Sequence, residues 1–392
     1  MGKNEQNAEK SSQLALLGAA HSLNHSLFVI TPPLMAIIMS SLGVPKLIIG
    51  SIATITSFIY GAGSLIGGPL GDKIGEAKTI TLCLTLSGFS TFIMLAAASA
   101  SSIYAYVSAL VLMAAWASLY HPTANCLISK VFTSNVGETM GLHGAGGTLG
   151  TVLTPTIAWF VGSIFGWAWA FVTFGVLSLL LALLFLKAFK KTDCKAKNAS
   201  SILDALRIRE LWILLIFNVA IGLFMKGVEL YFPIYLSTNR NVSEMWASIA
   251  LTLVLAAGVP GQWLGGKAAD RFGSKKVLII TSFGVCVSLL SILFIPVYVV
   301  GIALFIVFYG LSFYGHQPAL NSLAGLLSPE SQRGAVYGVF FFTSFGIGSL
   351  SQTLAGYIAD ACGLDLAFGM FSAFAFAALL LSFKLPSKKK RN

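Results

Sequence analysis

Two charged residues stand inside an apolar run. Lys226 and Glu229 are the only Asp, Glu, Lys or Arg between Leu211 and Leu236. Three residues apart, they share one face if the run is helical. A lysine there can neutralise the glutamate or attract an anion, and the glutamate can take up a proton. A self-neutralising structural pair is the plain alternative. Asn218, Gly222 and Met225 lie near the same face.

All five histidines, His21, His25, His121, His143 and His316, also fall in apolar stretches. His21, Asn24, His25 and Phe28 line one helical stripe, and Ser118, His121, Asn125 and Ser129 line another. Gln317 and Asn321 repeat the pattern later in the chain. Imidazole titrates near neutral pH, so His21 and His121 join Glu229 as candidate proton carriers. His21 and His25 also have a metal-ligand spacing, but no carboxylate joins them in their stretch. The chain has no HExxH, and Cys83, Cys126, Cys194, Cys286 and Cys362 are scattered without zinc-type spacing. Neither a metal nor a cofactor is expected.

The surroundings of these groups set the class. Hydrophobic residues make up 56% of the 392 and charged residues only 10%, with 39 glycines besides. A soluble domain carries about 25% charged residues. This composition excludes a soluble enzyme, a disordered chain and a nucleic-acid binder, and makes the lipid bilayer the main solvent. Apolar segments of about 20 residues can cross a bilayer. Twelve are expected, at 13–40, 47–71, 78–98, 102–130, 138–164, 167–189, 211–236, 245–268, 276–296, 299–327, 335–359 and 364–385. The first is too long and too polar for a cleaved signal. The charged stretch Lys190–Glu210 separates six spans from six. Domains of 1–190 and 211–392 are therefore expected, joined by a linker at 191–210.

Charge placement orients the chain. With the N-terminus inside, all Lys and Arg except Lys46, Arg240 and Lys226 fall on the inner side. Both termini and the linker are then cytoplasmic, in a cell membrane. The net charge of +11 is mostly this topology signal.

The halves echo each other. Gly68-Pro69-Leu70-Gly71-Asp72-Lys73-Ile74-Gly75 follows span 2, and Gly266-Lys267-Ala268-Ala269-Asp270-Arg271-Phe272-Gly273 follows span 8. Tyr120-His121-Pro122-Thr123-Ala124-Asn125 in span 4 matches His316-Gln317-Pro318-Ala319-Leu320-Asn321 in span 10. His143-Gly144 matches Tyr337-Gly338. Three matches in order at nearly one offset point to a duplicated six-helix unit, a transporter architecture.

These features resemble the major facilitator superfamily over essentially the whole chain. The loop motif G-x-L-x-D-(R/K)-x-G fits Gly68, Leu70, Asp72, Lys73 and Gly75. Its second copy fits Gly266, Asp270, Arg271 and Gly273, with Ala268 in place of leucine. The resemblance implies an all-α fold of twelve transmembrane helices in two six-helix pseudo-repeats, and alternating access. It implies gating by Asp72, Lys73, Asp270 and Arg271. It also implies a cavity lined by spans 1, 4, 7 and 10, the four that carry the polar faces here. The expected substrate-binding set is His21, Asn24, His25, His121, Asn125, Lys226, Glu229, Gln317 and Asn321. The antiporter motif of span 5 is broken, with Thr151 and Thr154-Pro155 after Gly146 and Gly150. Tyr120-His121-Pro122 resembles the pattern of fosmidomycin-resistance-like exporters. The direction of transport stays open between these two signals.

The expected activity is secondary transport of a small polar or anionic organic solute or drug-like compound by a monomer, coupled to protons by symport or antiport. A histidine-dependent membrane enzyme and a non-transporting receptor are the alternatives. The first lacks a ligand motif and the second an appended domain.

Overall fold

The computed structural model describes residues 3–132, 136–189, 206–328 and 333–386. Among these residues there is no strand. Backbone groups in lipid have to be satisfied within the chain, and helices do this segment by segment. Eleven helical stretches are long and apolar enough to cross a membrane. The twelfth, expected at 335–359, is assembled from three pieces. Arg333–Phe341 is α-helical, Phe342–Ile347 is a π-helix, and Leu350–Cys362 is α-helical again. The architecture is the expected all-α, twelve-span one.

The π segment has a local cause for its persistence. A wide turn leaves carbonyls without their usual i→i−4 partners. Asn218 of span 7 reaches in, its Nδ2 donating to Phe340 O at 2.7 Å and to Thr343 Oγ1 at 2.9 Å. One turn on, Gly222 lets the π backbone approach: a Cβ there would lie 2.4 Å from Ser344 O.

Other spans bend at prolines. Span 1 comprises Lys3–Val29 and Thr31–Leu42, with Pro32 and Pro33 opening the second piece. Span 4 comprises Ile103–Ala117 and Tyr120–Val131. Pro122 lacks an N–H to donate to Ser118, so the ladder breaks just before Tyr120 and His121.

The chain forms two compact units. Met1–Gly43 and Ile55–Ala199 make the first, and Val44–Thr54 and Ser200–Asn392 the second. In the first, Leu17, Ile80, Leu84, Tyr120, Leu127 and Phe185 share a core. Span 5 presses on span 1 through glycines, since a Cβ on Gly146 would lie 2.8 Å from Gly18 Cα. In the second, a Cβ on Gly265 would lie 2.1 Å from Gly315 O, so spans 8 and 10 touch backbone to backbone. The strip Val44–Thr54 is tied into the second unit by polar contacts. Asp360 accepts the Lys46 and Leu47 N–H groups at 3.2 and 2.7 Å and caps the helix Lys46–Ile74. Tyr231 Oη lies 2.9 Å from Gln352 O and 3.1 Å from Lys46 O.

The duplication is visible in the backbone. Gly75 has φ 94°, ψ 139°, and its counterpart Gly273 has φ 88°, ψ 141°. The same conformation recurs at Gly166 (φ 97°) and Gly363 (φ 90°), which open spans 6 and 12. The repeat thus extends to a pair that the sequence matches did not include. This region is essentially closed to other residues. At Gly75 and Gly273 an added Cβ would meet no atom within 4 Å, so strain alone opposes substitution. Gly75→Ala or Gly273→Ala should cost about 1–3 kcal/mol. A lowered thermal midpoint in detergent would register this, and unchanged midpoints for both would contradict it.

Candidate functional site

In the first unit, three helices converge on a histidine cluster. Lys3–Val29 presents His21 and His25 one turn apart, Tyr120–Val131 presents His121, and Val136–Phe165 presents His143. His21 Nδ1 lies 2.9 Å from the His143 carbonyl, which can only accept, so Nδ1 carries the hydrogen. His21 Nε2 then holds a lone pair, facing His25 Nε2 at 2.9 Å. Tyr120 Oη donates to Leu17 O at 2.7 Å and faces His143 Nε2 at 3.0 Å, leaving the imidazole N–H as donor. The His21 and His143 rings stack at 4.3 Å, and His121 meets His21 and His25 edge-on at 5.0 Å each. Ligand atoms of His21, His25 and His121 all lie within 4.8 Å of one another. Gly147 makes room for this, since a Cβ there would lie 2.4 Å from His21 Nδ1.

Three of the expected residues therefore meet, and two unexpected ones join them. His143 and Tyr120 come from different helices, and their spacing in the chain carries no signal of the encounter. Asn24 sits beside the cluster but is committed elsewhere. Its Nδ2 donates to Ala117 O at 2.9 Å, and its Oδ1 accepts from Tyr60 at 2.7 Å. It is buried and ties spans 1, 2 and 4 together. Asn24→Leu should remove both hydrogen bonds, at about 0.5–1.5 kcal/mol each. The measurement is again the thermal midpoint, and a midpoint equal to wild type would refute the bracing role.

In the second unit, Lys226 Nζ lies 2.8 Å from Glu229 Oε2. The lysine side chain is 7% exposed and the glutamate 27%, so the pair is open on its acidic side. Lys226 Nζ also stands 4.2 Å over the Phe345 ring, in the π segment of span 11. Gln352 Nε2 donates to Lys226 O at 3.2 Å. Asn218, Gly222 and Lys226 thus form one stripe against span 11. Gln317 Oε1 accepts from Gln262 at 3.1 Å. His316 is buried, with Nδ1 bonded to Phe313 O of its own helix.

Asn125 and Asn321, each three residues past the repeat's proline, are both exposed. Lys73, Asp270 and Arg271 are exposed at helix ends. The side chain of Asp72 lies outside the described residues.

Solved structures share this fold. A bacterial homologue of the human lysosomal transporter Spinster, in an inward-facing and unoccupied conformation, superposes with TM-score 0.78 at 17% identity, covering 96% of this chain and 97% of that one. A point mutant of the nucleoside transporter NupG superposes with TM-score 0.79 at 14% identity, covering 95% and 99%. In sequence, the fosmidomycin resistance protein of Escherichia coli K12 is 25% identical over 323 residues, 80% of this chain and 77% of that protein. The riboflavin transporter RibZ of Clostridioides difficile is 22% identical over 361 residues, 76% and 77% of the two. Residues 14–353 match the profile of the Major Facilitator Superfamily. Twelve spans, a duplicated loop glycine in one backbone conformation and this match along the chain agree: the protein belongs to the Major Facilitator Superfamily.

Proposed function

We propose that the protein is a secondary active transporter of a small polar or anionic organic solute or drug-like compound, working by alternating access and coupled to protons. The observation that carries this reading is the Lys226–Glu229 pair, 2.8 Å apart and open only on the glutamate side. A buried pair is weak evidence for stability, because desolvation offsets its attraction. As a switch it is well suited. A proton on Glu229 releases the ammonium, and the ammonium then favours a negatively charged solute. The histidine cluster supplies hydrogen-bonding groups in the other unit, with Asn125, Gln317 and Asn321 as further polar contacts.

The similarity to a fosmidomycin resistance protein fits Tyr120-His121-Pro122 and supports a drug-like or anionic cargo. Asp72, Lys73, Asp270 and Arg271 are assigned to gating, on the loop motif carried twice. The charge distribution supports a cell-membrane protein with both termini cytoplasmic.

The test is flux in vesicles containing the purified protein, with a panel of small organic anions and drug-like compounds. Solute movement should require the protein, respond to an imposed pH gradient and carry protons with it. Flux that ignores the gradient would remove the proton coupling. No flux of any compound would count against the transport reading itself.

A further inference from the structure

We propose that His21, His25 and His121 form a binding site for a late first-row divalent cation of the Zn²⁺, Co²⁺ or Ni²⁺ class. The donor set selects the class. Imidazole nitrogens suit these ions, whereas Mg²⁺ and Ca²⁺ take oxygen ligands. The three ligand atoms lie within 4.8 Å of one another, and His21 Nε2 and His25 Nε2 are 2.9 Å apart. Zn–N bonds of about 2.0–2.1 Å in a tetrahedron put nitrogens about 3.3 Å apart. The ion would open the His21–His25 pair by a few tenths of an ångström and draw His121 inward.

The surroundings are built as ligand-orienting shells are built. A metal-bound histidine characteristically donates its second N–H to a carbonyl or carboxylate. His21 already does so, through Nδ1 to His143 O at 2.9 Å. His143 is held in turn by Tyr120, which is anchored on Leu17 O. This leaves His21 Nε2 with its lone pair aimed at the site. His25 becomes a ligand by shifting its hydrogen from Nε2 to Nδ1, so binding releases no net proton. A simple interhelical hydrogen bond would need only His21 and the His143 carbonyl. It would not require two further imidazoles, from two different spans, with all three ligand atoms within 4.8 Å of one another.

His25 and His121 are half-buried, although His121 Nε2 itself is buried. Three imidazoles leave a fourth tetrahedral position for water or an anionic oxygen. Sequence spacing offered only His21 and His25, and no metal centre was expected from them. The third ligand comes from the far side of the proline break in span 4.

The site is tested without reference to flux, so its failure and the failure of the transport reading are separable. Purified metal-free protein is titrated with Co²⁺, and visible ligand-field absorption and saturation are recorded. One equivalent should produce a four-coordinate spectrum, displaced by Zn²⁺. His25→Gln and His121→Gln should each weaken binding at least tenfold, and His316→Gln should leave it unchanged. Absence of a saturable spectrum in the wild type would overturn the proposal, as would a spectrum that survives both cluster variants. If either variant fails to fold, X-ray absorption of the Zn²⁺-loaded wild type decides. Three imidazole nitrogens near 2.0 Å support the site, and fewer than three overturn it.

Discussion

Lys226→Ala is expected to lower solute flux by ~10-fold or more while leaving a folded, monodisperse protein, a loss corresponding to about 1.4 kcal/mol or more. The lysine is buried, faces Glu229 at 2.8 Å and stands over Phe345. Its removal leaves a carboxylate that water can still reach, so the protein tolerates the loss better than a sealed pair would. Glu229→Gln separates two roles. If the glutamate carries the proton, this variant should exchange solute yet fail to respond to a pH gradient. A paired replacement, Lys226→Met with Glu229→Met, removes both charges without leaving an unpaired one. Normal flux in that double variant would mean the pair is structural, and the switch would have to be sought elsewhere.

Gly222→Ala should lower the stability of the second unit and weaken its polar stripe together. An added Cβ would lie 2.4 Å from Ser344 O and 3.0 Å from Gly348 Cα. Both obstacles are backbone, so no side-chain rotation relieves them. Overpacking of this kind costs about 1–3 kcal/mol. The damage should also spread along the stripe. Asn218 lies one turn before Gly222 and holds Phe340 O, and Lys226 lies one turn after it and meets Phe345. Span 7 forced away from span 11 loosens both contacts. Both the thermal midpoint and flux are therefore expected to fall. A variant with wild-type stability would show that the π segment yields freely.

These outcomes rest on features of unequal visibility in the sequence. The spans and the duplication were legible, because twenty apolar residues and a repeated glycine–aspartate loop are one-dimensional signals. The Lys226–Glu229 pair was legible for the same reason: both partners sit on one helix, and helical spacing alone makes them neighbours. The histidine cluster was legible only by halves. His21 and His25 announce each other, but His143 and Tyr120 arrive on other helices through glycine-lined contacts. Asn24 shows the opposite failure. It shares the stripe of His21 and His25, yet its amide is consumed by Tyr60 and Ala117 O, a satisfaction that only tertiary structure reveals. The π segment left no signal in composition, since its residues are apolar like those of the α-helical spans.

That wide turn in span 11 bears on how the two halves drifted apart in length. The stretch Gly338–Gly363 is longer than its counterpart Gly144–Gly166. Surplus residues in a membrane span can be expelled into a connecting loop or stored within the helix. Phe342–Ile347 stores one, as a π turn does by holding an extra residue per turn. Removing a single residue there should let the segment relax to an α-helix. Everything beyond it would then rotate by about 100°. Gln352 would leave Lys226 O, and Asp360 would leave the start of span 2 uncapped. A one-residue deletion, usually the mildest of edits in a loop, would here turn half a span to face the wrong neighbours.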